Sequence, residues 1–522
     1  MRQFLLRVAC ASALTCISAP SLFVDPGDTA FGQEAEKPSA MAEAEAAYAK
    51  GDYGTAQDLL IPLAESGDAL AQYRLAYLYL QQDGSEDGIV RAAPWLQKSA
   101  DQGHTDAQAL LGRLYLEGDG VGEDYAAAKD LLLKAAEKGN ANAQFHVAIV
   151  YLNGLGIEED PVSGLSWLLA AGRQGQTEAQ FELSVIYSRG RNVTQDNAEA
   201  LKWLTAAAEN GLARAQFFLA TNYANGTGVP RDEAKAVEWY KAAAERGMVD
   251  AQAVLGSLYL QGQGVERDLS EALKWLQQAA EAGSPAAQSN LGYVYATGAG
   301  VPQDDATAAK WYRMAAERGL IRAQAALALF YESGRGVEQD FEEAASWYRR
   351  AARAGNAGAK LQLGRLLAAG RVEVDEEERL LGAPADWALA AAEAGDAAAV
   401  AWLEREAEEG SAPARGRLAS LYATGTGVAA DATKAVALLR SAAEDGDRFA
   451  QLMLGRRYAT GDGVEQDYVQ AHTWVNLAAA SGDPEAIKSR DTFSNLMTPE
   501  QISEAQRLAR EWMAKHRGAA DE

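Results

Sequence analysis

The sequence predicts an all-α protein, an α/α solenoid (superhelix) of about eleven 36-residue helix-pair repeats. Three observations carry this reading. Tyr79, Tyr115, Tyr151, Tyr187, Tyr223, Tyr259, Tyr295 and Tyr331 stand 36 residues apart, and Gly67 returns at the same interval as far as Gly355. The pair Ala-Gln recurs in one register from Ala71-Gln72 to Ala323-Gln324. Trp95 returns as Trp167, Trp203, Trp239, Trp275, Trp311 and Trp347, with Leu131 once in its place. A fixed period of this length is the signature of stacked supersecondary units. Composition agrees: of 522 residues 48% are hydrophobic and 23% charged, with 49 Gly and 13 Pro, too apolar for a disordered chain.

At the N-terminus, Arg2 and Arg7 flank the start of an apolar stretch, Val8 to Val24, which the breakers Asp25, Pro26 and Gly27 end. Residues 1–32 therefore read as a signal peptide cleaved after Gly32, because Ala30 and Gly32 fill the small-residue positions. A lipid anchor on Cys16 fits poorly, since Ala13-Leu14-Thr15 precede it. Cleavage would remove both cysteines, Cys10 and Cys16, leaving a periplasmic chain that holds by packing without disulfides. No later stretch is apolar and long enough to cross a bilayer, so no membrane span is expected after signal removal. Residues 33–66 read as a linker and a capping helix pair, with Gly51-Asp52-Tyr53 at its turn.

Residues 67–355 form the first array, of eight units, and one unit shows the physics. Ala251 to Gly262 carries apolar residues at helical spacing and reads as helix A. Gly262 and Gly264 supply the backbone freedom that ends it. Asp268 then caps helix B, with Glu271 three residues on as in a capping box. Helix B, Leu269 to Ala282, puts Ala272, Trp275, Ala279 and Ala280 on one face, and Gly283 closes it. One such pair cannot bury its apolar stripe alone, so neighbours must stack. The units begin at Ala71, Ala107, Ala143, Ala179, Ala215, Ala251, Ala287, Ala323, Ala359, Ala414 and Ala450.

The strings A-x-x-x-L-G-x-x-Y, G-x-G-V-x-x-D and A-x-x-W-x-x-x-A-A-x-x-G, complete over Ala251–Gly283 and Ala287–Gly319, resemble the Sel-one-like repeat family, relatives of the tetratricopeptide repeat. The resemblance spans roughly residues 67–482. It implies an α/α superhelix that serves as an adaptor in multiprotein complexes, often in bacterial envelopes.

The register breaks once. Gly355 to Gly395 is 40 residues and Gly395 to Gly410 is 15, after which Gly446 and Gly482 resume the period. Residues 356–410 are thus an irregular repeat and insertion, 411–482 the last two repeats, and 483–522 the C-terminal capping helices and tail. Trp402 stands eight residues before Gly410, as in a helix B, but has no matching helix A. In the tail, Thr498-Pro499-Glu500-Gln501 is a capping box with Pro at the first helical position. Its helix should bury Ile502, Ala505, Leu508 and Trp512.

Chemistry finds little footing. The balance of 48 Lys and Arg against 73 Asp and Glu, net −25, argues against a nucleic-acid partner. Removing residues 1–32 takes away two charges of each sign and leaves this balance unchanged. Gly-rich loops such as Gly118-Asp119-Gly120 recur without a preceding strand, as helix stops rather than phosphate cradles. The four His are scattered without metal spacing, and the acidic run Asp375 to Glu378 reads as a solvated loop rather than a cation site. Cysteine-rich members of the family have been linked to β-lactams, but through disulfides absent here. Neither a catalytic site nor a cofactor site is expected, and the chain is read as non-enzymatic.

Binding is the better question. Three residues after each unit's Ala stand Arg74, Leu110, His146, Glu182, Phe218, Val254, Asn290 and Ala326. Six after it, from the second unit on, stand Arg113, Ile149, Val185, Thr221, Ser257, Tyr293 and Leu329. Such spread means that packing does not dictate these positions, which should line the concave face. Phe218, Thr221, Asn222, Asn290, Tyr293 and His146 are the candidate partner-binding residues, with the aromatics as anchors. Asn222 stands where other units carry an apolar residue; a buried amide with a local partner is the alternative there. The expected partner is a protein or peptide in the cell envelope. The alternatives are regulation of a membrane sensor kinase, as some family members do, or glycan binding through Tyr and Trp faces in cell-wall or exopolysaccharide assembly.

Overall fold

The computed structural model describes residues 39–82, 85–374, 378–379 and 382–517. The expected signal peptide, residues 1–32, lies outside these, as do 375–377 of the acidic run. Among the described residues there are twenty-seven helices and no strand. They form two compact units, one of the described residues up to 267 and one of those from 268 on.

The first unit opens with the pair Ala40–Ala49 and Tyr53–Glu65, capped by Ser39 and Asp52. Five full A/B pairs follow, from Ala69–Gln82 with Glu86–Asp101 to Ala213–Asn225 with Glu233–Glu245, and the A helix Val249–Gln261 ends the unit. The second unit begins with the B helix Leu269–Glu281 and continues through the pairs starting at Pro285, Ile321 and Ala357. A single helix, Ala397–Glu408, then precedes the pairs that start at Ala412 and Arg448. Two helices close it, Pro484–Ser494 and Pro499–Arg517.

Each A helix begins two residues ahead of the Ala that marks its period, because the cap stands three residues before that Ala. Asn140 Oδ1 accepts from the Ala143 N–H at 2.8 Å, and Asp447 Oδ1 from Ala450 at 2.7 Å. Apart from those that follow Ser85 and Gly382, B helices start on Asp: Asp268 Oδ1 accepts from Ser270 and Glu271 N–H groups at 2.9 and 3.1 Å. Glu271 does not complete the expected box. Its carboxylate accepts the indole N–H of Trp275 at 2.9 Å, as Glu343 does for Trp347 at 3.0 Å. That bond satisfies the one polar atom of a ring that packing otherwise buries.

The recurrent Ala-Gln pair has a physical cause. The Ala is fully buried, and the Gln Nε2 donates to a carbonyl eight residues earlier, at the C-terminus of the preceding B helix. Gln144 reaches Ala136 O at 3.2 Å, Gln216 reaches Ala208 O at 3.0 Å and Gln324 reaches Ala316 O at 3.2 Å. The last carbonyls of a helix have no partner within it, so each buried amide closes the seam between one unit and the next.

Inside the unit that starts at Ala357 the two helices approach backbone to backbone. A Cβ on Gly364 would lie 2.0 Å from the Trp387 carbonyl oxygen, so only glycine fits there. This pair, Ala357–Ala368 with Ala383–Glu393, is a complete unit despite the register break. The single helix after it starts like an A helix, on Gly395 and a capping Asp396, and ends like a B helix before Gly410. It buries Ala399, Trp402 and Leu403. Glu378 corrects the solvated-loop expectation at its own position. It is buried and ion-paired with Arg349 at 3.0 Å, tying the insertion to the preceding B helix.

At the C-terminus the capping box forms reciprocally: Gln501 N donates to Thr498 Oγ1 at 3.3 Å, and Thr498 N donates to Gln501 Oε1 at 2.9 Å. The helix buries Ala505 and Ala509 completely and Ile502, Leu508 and Trp512 in part.

Candidate functional site

Buried positions account for most large apolar side chains, so the exposed ones are informative. Phe218 (48% exposed), Tyr293 (53%) and Leu329 (46%) all lie on A helices, three or six residues after the unit's Ala. No tryptophan is among the exposed large apolar residues of the described chain.

In the first unit, Phe218 stands at the mouth of a cleft of about 340 Å³ between the A helices Thr177–Arg189 and Ala213–Asn225 and the B helix Asn197–Glu209. Phe181, Val185, Leu201 and Leu204 line it, with Asn222 and Arg189 at its polar side. Its origin is local. In other repeats the second loop glycine is pressed against the start of the preceding B helix. A Cβ on Gly264 would meet Glu233 O at 2.6 Å, and one on Gly300 would meet Leu269 Cβ at 2.7 Å. Gly228 has nothing within 4 Å, so its loop stands off from the helix that begins at Asn197, and the gap is the cleft.

The aromatic edges are arranged to hold Phe218 open. Its ring is tilted against Phe181 at 5.7 Å and edge-on to Phe217 at 5.9 Å, while Phe217 packs inward on Tyr240 at 5.4 Å. Thr221 takes a different role from its neighbours. Its hydroxyl lies 2.9 Å from Phe217 O and 3.0 Å from the Tyr240 hydroxyl, so it joins the two helices of its own unit. Asn222 is half-buried and lines the cleft rather than the core.

Charge around the cleft is unlike that of the whole chain. Burial raises the Glu182 carboxyl above its usual range, while Arg214, Arg189 and Arg191 pull it back. Arg214 ion-pairs with Glu182 at 3.6 Å and lies over the Phe181 ring at 4.2 Å.

The remaining candidates do not join this cleft. His146, on the A helix Ala141–Asn153, is half-buried with its ring 5.2 Å from Phe145. Burial, and secondarily Arg113, hold its imidazole well below the ordinary histidine range, so it is neutral at pH 7. In the second unit Asn290 accepts from Arg322 Nη2 at 3.1 Å, and Tyr293 is open to solvent. Another cleft there, about 400 Å³, is lined by Pro413, Phe449 and the ion-paired Arg417 and Asp447, so its polar wall is already satisfied internally. No group of three or more His, Cys, Asp or Glu among the described residues could hold a metal ion, and no described helix is long and apolar enough to cross a membrane.

The sequence register marked Phe218, Glu182 and Val185 as variable. It did not mark Leu201 and Leu204, which share the B helix pattern of every unit.

The Sel1 repeat family model matches ten copies, residues 69–104, 105–140, 141–176, 177–212, 213–248, 249–284, 285–320, 321–356, 412–447 and 448–483. The ninth helix pair and the single helix fall between the eighth and ninth blocks, after residue 356 and before 412, and are unmatched. The chain is similar to c5321 of uropathogenic Escherichia coli, described as a protective antigen displaying an SLR fold. The two share 33% identity over 88% of this chain and 95% of that one, with a TM-score of 0.57. It is also similar to a Sel1 repeat protein from Oxalobacter formigenes, at 31% identity over 66% and 98% of the two chains and a TM-score of 0.42. No curated protein matches.

Proposed function

Because the chain belongs to the Sel1 repeat family, whose members generally mediate protein–protein interaction, we propose that it is an exported, periplasmic adaptor that binds a protein or peptide partner on the concave face of its solenoid. The observation that carries this is Phe218, a large ring left nearly half exposed over an apolar cleft, at a loop where the repeats of Gly264 and Gly300 are closed by contact with the preceding B helix. Rings held open beside a desolvated pocket are the usual anchors of protein recognition. The N-terminal signal pattern supports export, as does similarity to a protein described as a protective antigen. Mechanism here is presentation: stacked units hold side chains at fixed intervals, and no chemical step is required. The glycan alternative draws less support, because the tryptophans it would use serve packing.

The test is capture from envelope extract by the mature protein, expected to begin near Gln33, beside the variant Phe218→Ala with Tyr293→Ala. One envelope protein should be retained at comparable stoichiometry by the first and at least about tenfold less by the second, both equally helical by circular dichroism. Equal retention by both, or retention of wall fragments alone, overturns the reading.

A further inference from the structure

The adaptor reading leaves the chemistry of the partner open, and the charge around the cleft narrows it. In a chain of net −25, Arg189 lines this cleft, and Arg191 and Arg214 act with it on the neighbouring Glu182 carboxyl. Arg214 is engaged by Glu182 and by the face of Phe181. Arg189 lines the cleft and Arg191 follows it in the loop, both exposed, and neither has an ion pair among the described residues, although both act on the Glu182 carboxyl. Three other carboxylates nearby have local work. Glu178 accepts from Gln176 and Thr177, Asp196 caps its B helix, and Glu199 pairs with Lys202. One half-buried carboxyl is thus under the influence of three guanidinium groups, two of them exposed, and one of those, Arg189, stands in the wall of the apolar cleft.

The geometry points to an acidic segment of a partner protein, carrying an aromatic or large aliphatic side chain beside Asp or Glu, as the occupant of this cleft. The apolar side chain enters between Phe181, Leu201 and Phe218, and 340 Å³ is room for one such group. The neighbouring carboxylates meet Arg189 and Arg191 in charge-assisted, bidentate hydrogen bonds, which guanidinium forms and ammonium does not. Asn222 offers a donor and an acceptor to the segment's backbone from the cleft wall. Elsewhere the acidic surface repels such a segment, so these arginines confer position as well as affinity. A basic peptide finds only Glu182 here, already paired with Arg214.

The inference rests on the adaptor reading and is separable from it by selection. A random peptide display library is panned on the mature full chain, and the most enriched peptide is labelled for fluorescence polarisation. Enriched sequences should place an aromatic or large aliphatic residue beside Asp or Glu. Arg189→Glu with Arg191→Glu should weaken binding at least about tenfold, Arg189→Gln with Arg191→Gln by less, and Phe218→Ala by about tenfold, all with unchanged circular dichroism. Affinity should also fall as salt rises. Enrichment without acidic residues, no enrichment at all, or binding indifferent to these substitutions overturns the cleft assignment. The adaptor reading itself falls only if the envelope capture fails as well.

Discussion

The regular repeats and the stretch from 357 to 447 close the same seam with different chemistry. In the regular repeats a neutral amide does it: buried Gln144 donates to Ala136 O, and its own Oε1 accepts from Gln174 Nε2 at 2.6 Å. At the corresponding places in the irregular stretch stand Lys360 and Arg415. Arg415 still finds a carbonyl, Gly410 O at 2.9 Å, but two residues on Arg417 is buried between Asp386 at 2.7 Å and Asp447 at 2.9 Å. A neutral cap can be copied indefinitely, because each copy is indifferent to the charge of the next. A charged triad is tied to one place. Here it sits where the extra helix Ala397–Glu408 has changed what the incoming A helix packs against.

The sharpest way to break this contrast is Arg417→Met. Removing the cation leaves Asp447, whose side chain is 8% exposed, buried without its counter-charge, at an expected cost of about 3–5 kcal/mol. Chemical denaturation of the whole chain should show an early loss of helix that wild type lacks. Adding Asp447→Asn should recover much of it, since Asn still caps the helix that begins at Arg448 while needing no counter-ion. A loss below about 1 kcal/mol for the single variant would mean that the triad is ornamental and that packing alone carries the junction.

The matching change in a regular seam is Gln144→Leu, which takes the side-chain donor from the Ala136 carbonyl, leaving it the backbone N–H of Gly139, and returns the exposed Gln174 amide to water. The expected cost is smaller, about 0.5–1.5 kcal/mol, and local. Hydrogen exchange should quicken at the seam between Tyr125–Glu137 and Ala141–Asn153 and leave the Arg417 region unchanged. Equal penalties for Gln144→Leu and Arg417→Met would erase the distinction between the two regions.

The periodic parts of this design were legible in the sequence because each solves a local problem with one residue type: Asp at a B-helix start, Gly at an A-helix end, Ala and Gln at the seam. Even there the Gln was visible as a recurrence without its reason, since its partner carbonyl lies on the preceding helix. Glu378 was misread as solvated because three neighbouring acids suggest a surface run, whereas its burial depends on Arg349 from another helix. The cleft was half visible. Phe218 stood out by register, but the gap beside it comes from an absence, a loop at Gly228 that fails to touch Asn197, and absences of contact leave no recurring residue to find.

The smallest effect concerns a cap that can titrate. Where Asn140 and Asp447 cap their A helices, the second repeat uses His104, whose Nδ1 accepts from the Ala107 N–H at 3.3 Å and whose ring stacks on Tyr73 at 4.8 Å. An accepting Nδ1 must be unprotonated, so the folded chain holds this imidazole neutral, and burial lowers its pKa accordingly. A histidine depressed in the folded state binds fewer protons there than in the unfolded chain, so stability falls as pH drops through and below the ordinary histidine value of about 6.5. His146 and His472 are shifted the same way and add to the slope. Replacing the cap by His104→Asn should leave stability at pH 7.5 nearly unchanged and retain about 0.5–1 kcal/mol more than wild type at pH 5, read as a smaller drop in Tm between the two pH values. An identical drop in the variant would show that the seam at His104 is held by its packing and owes nothing to its cap.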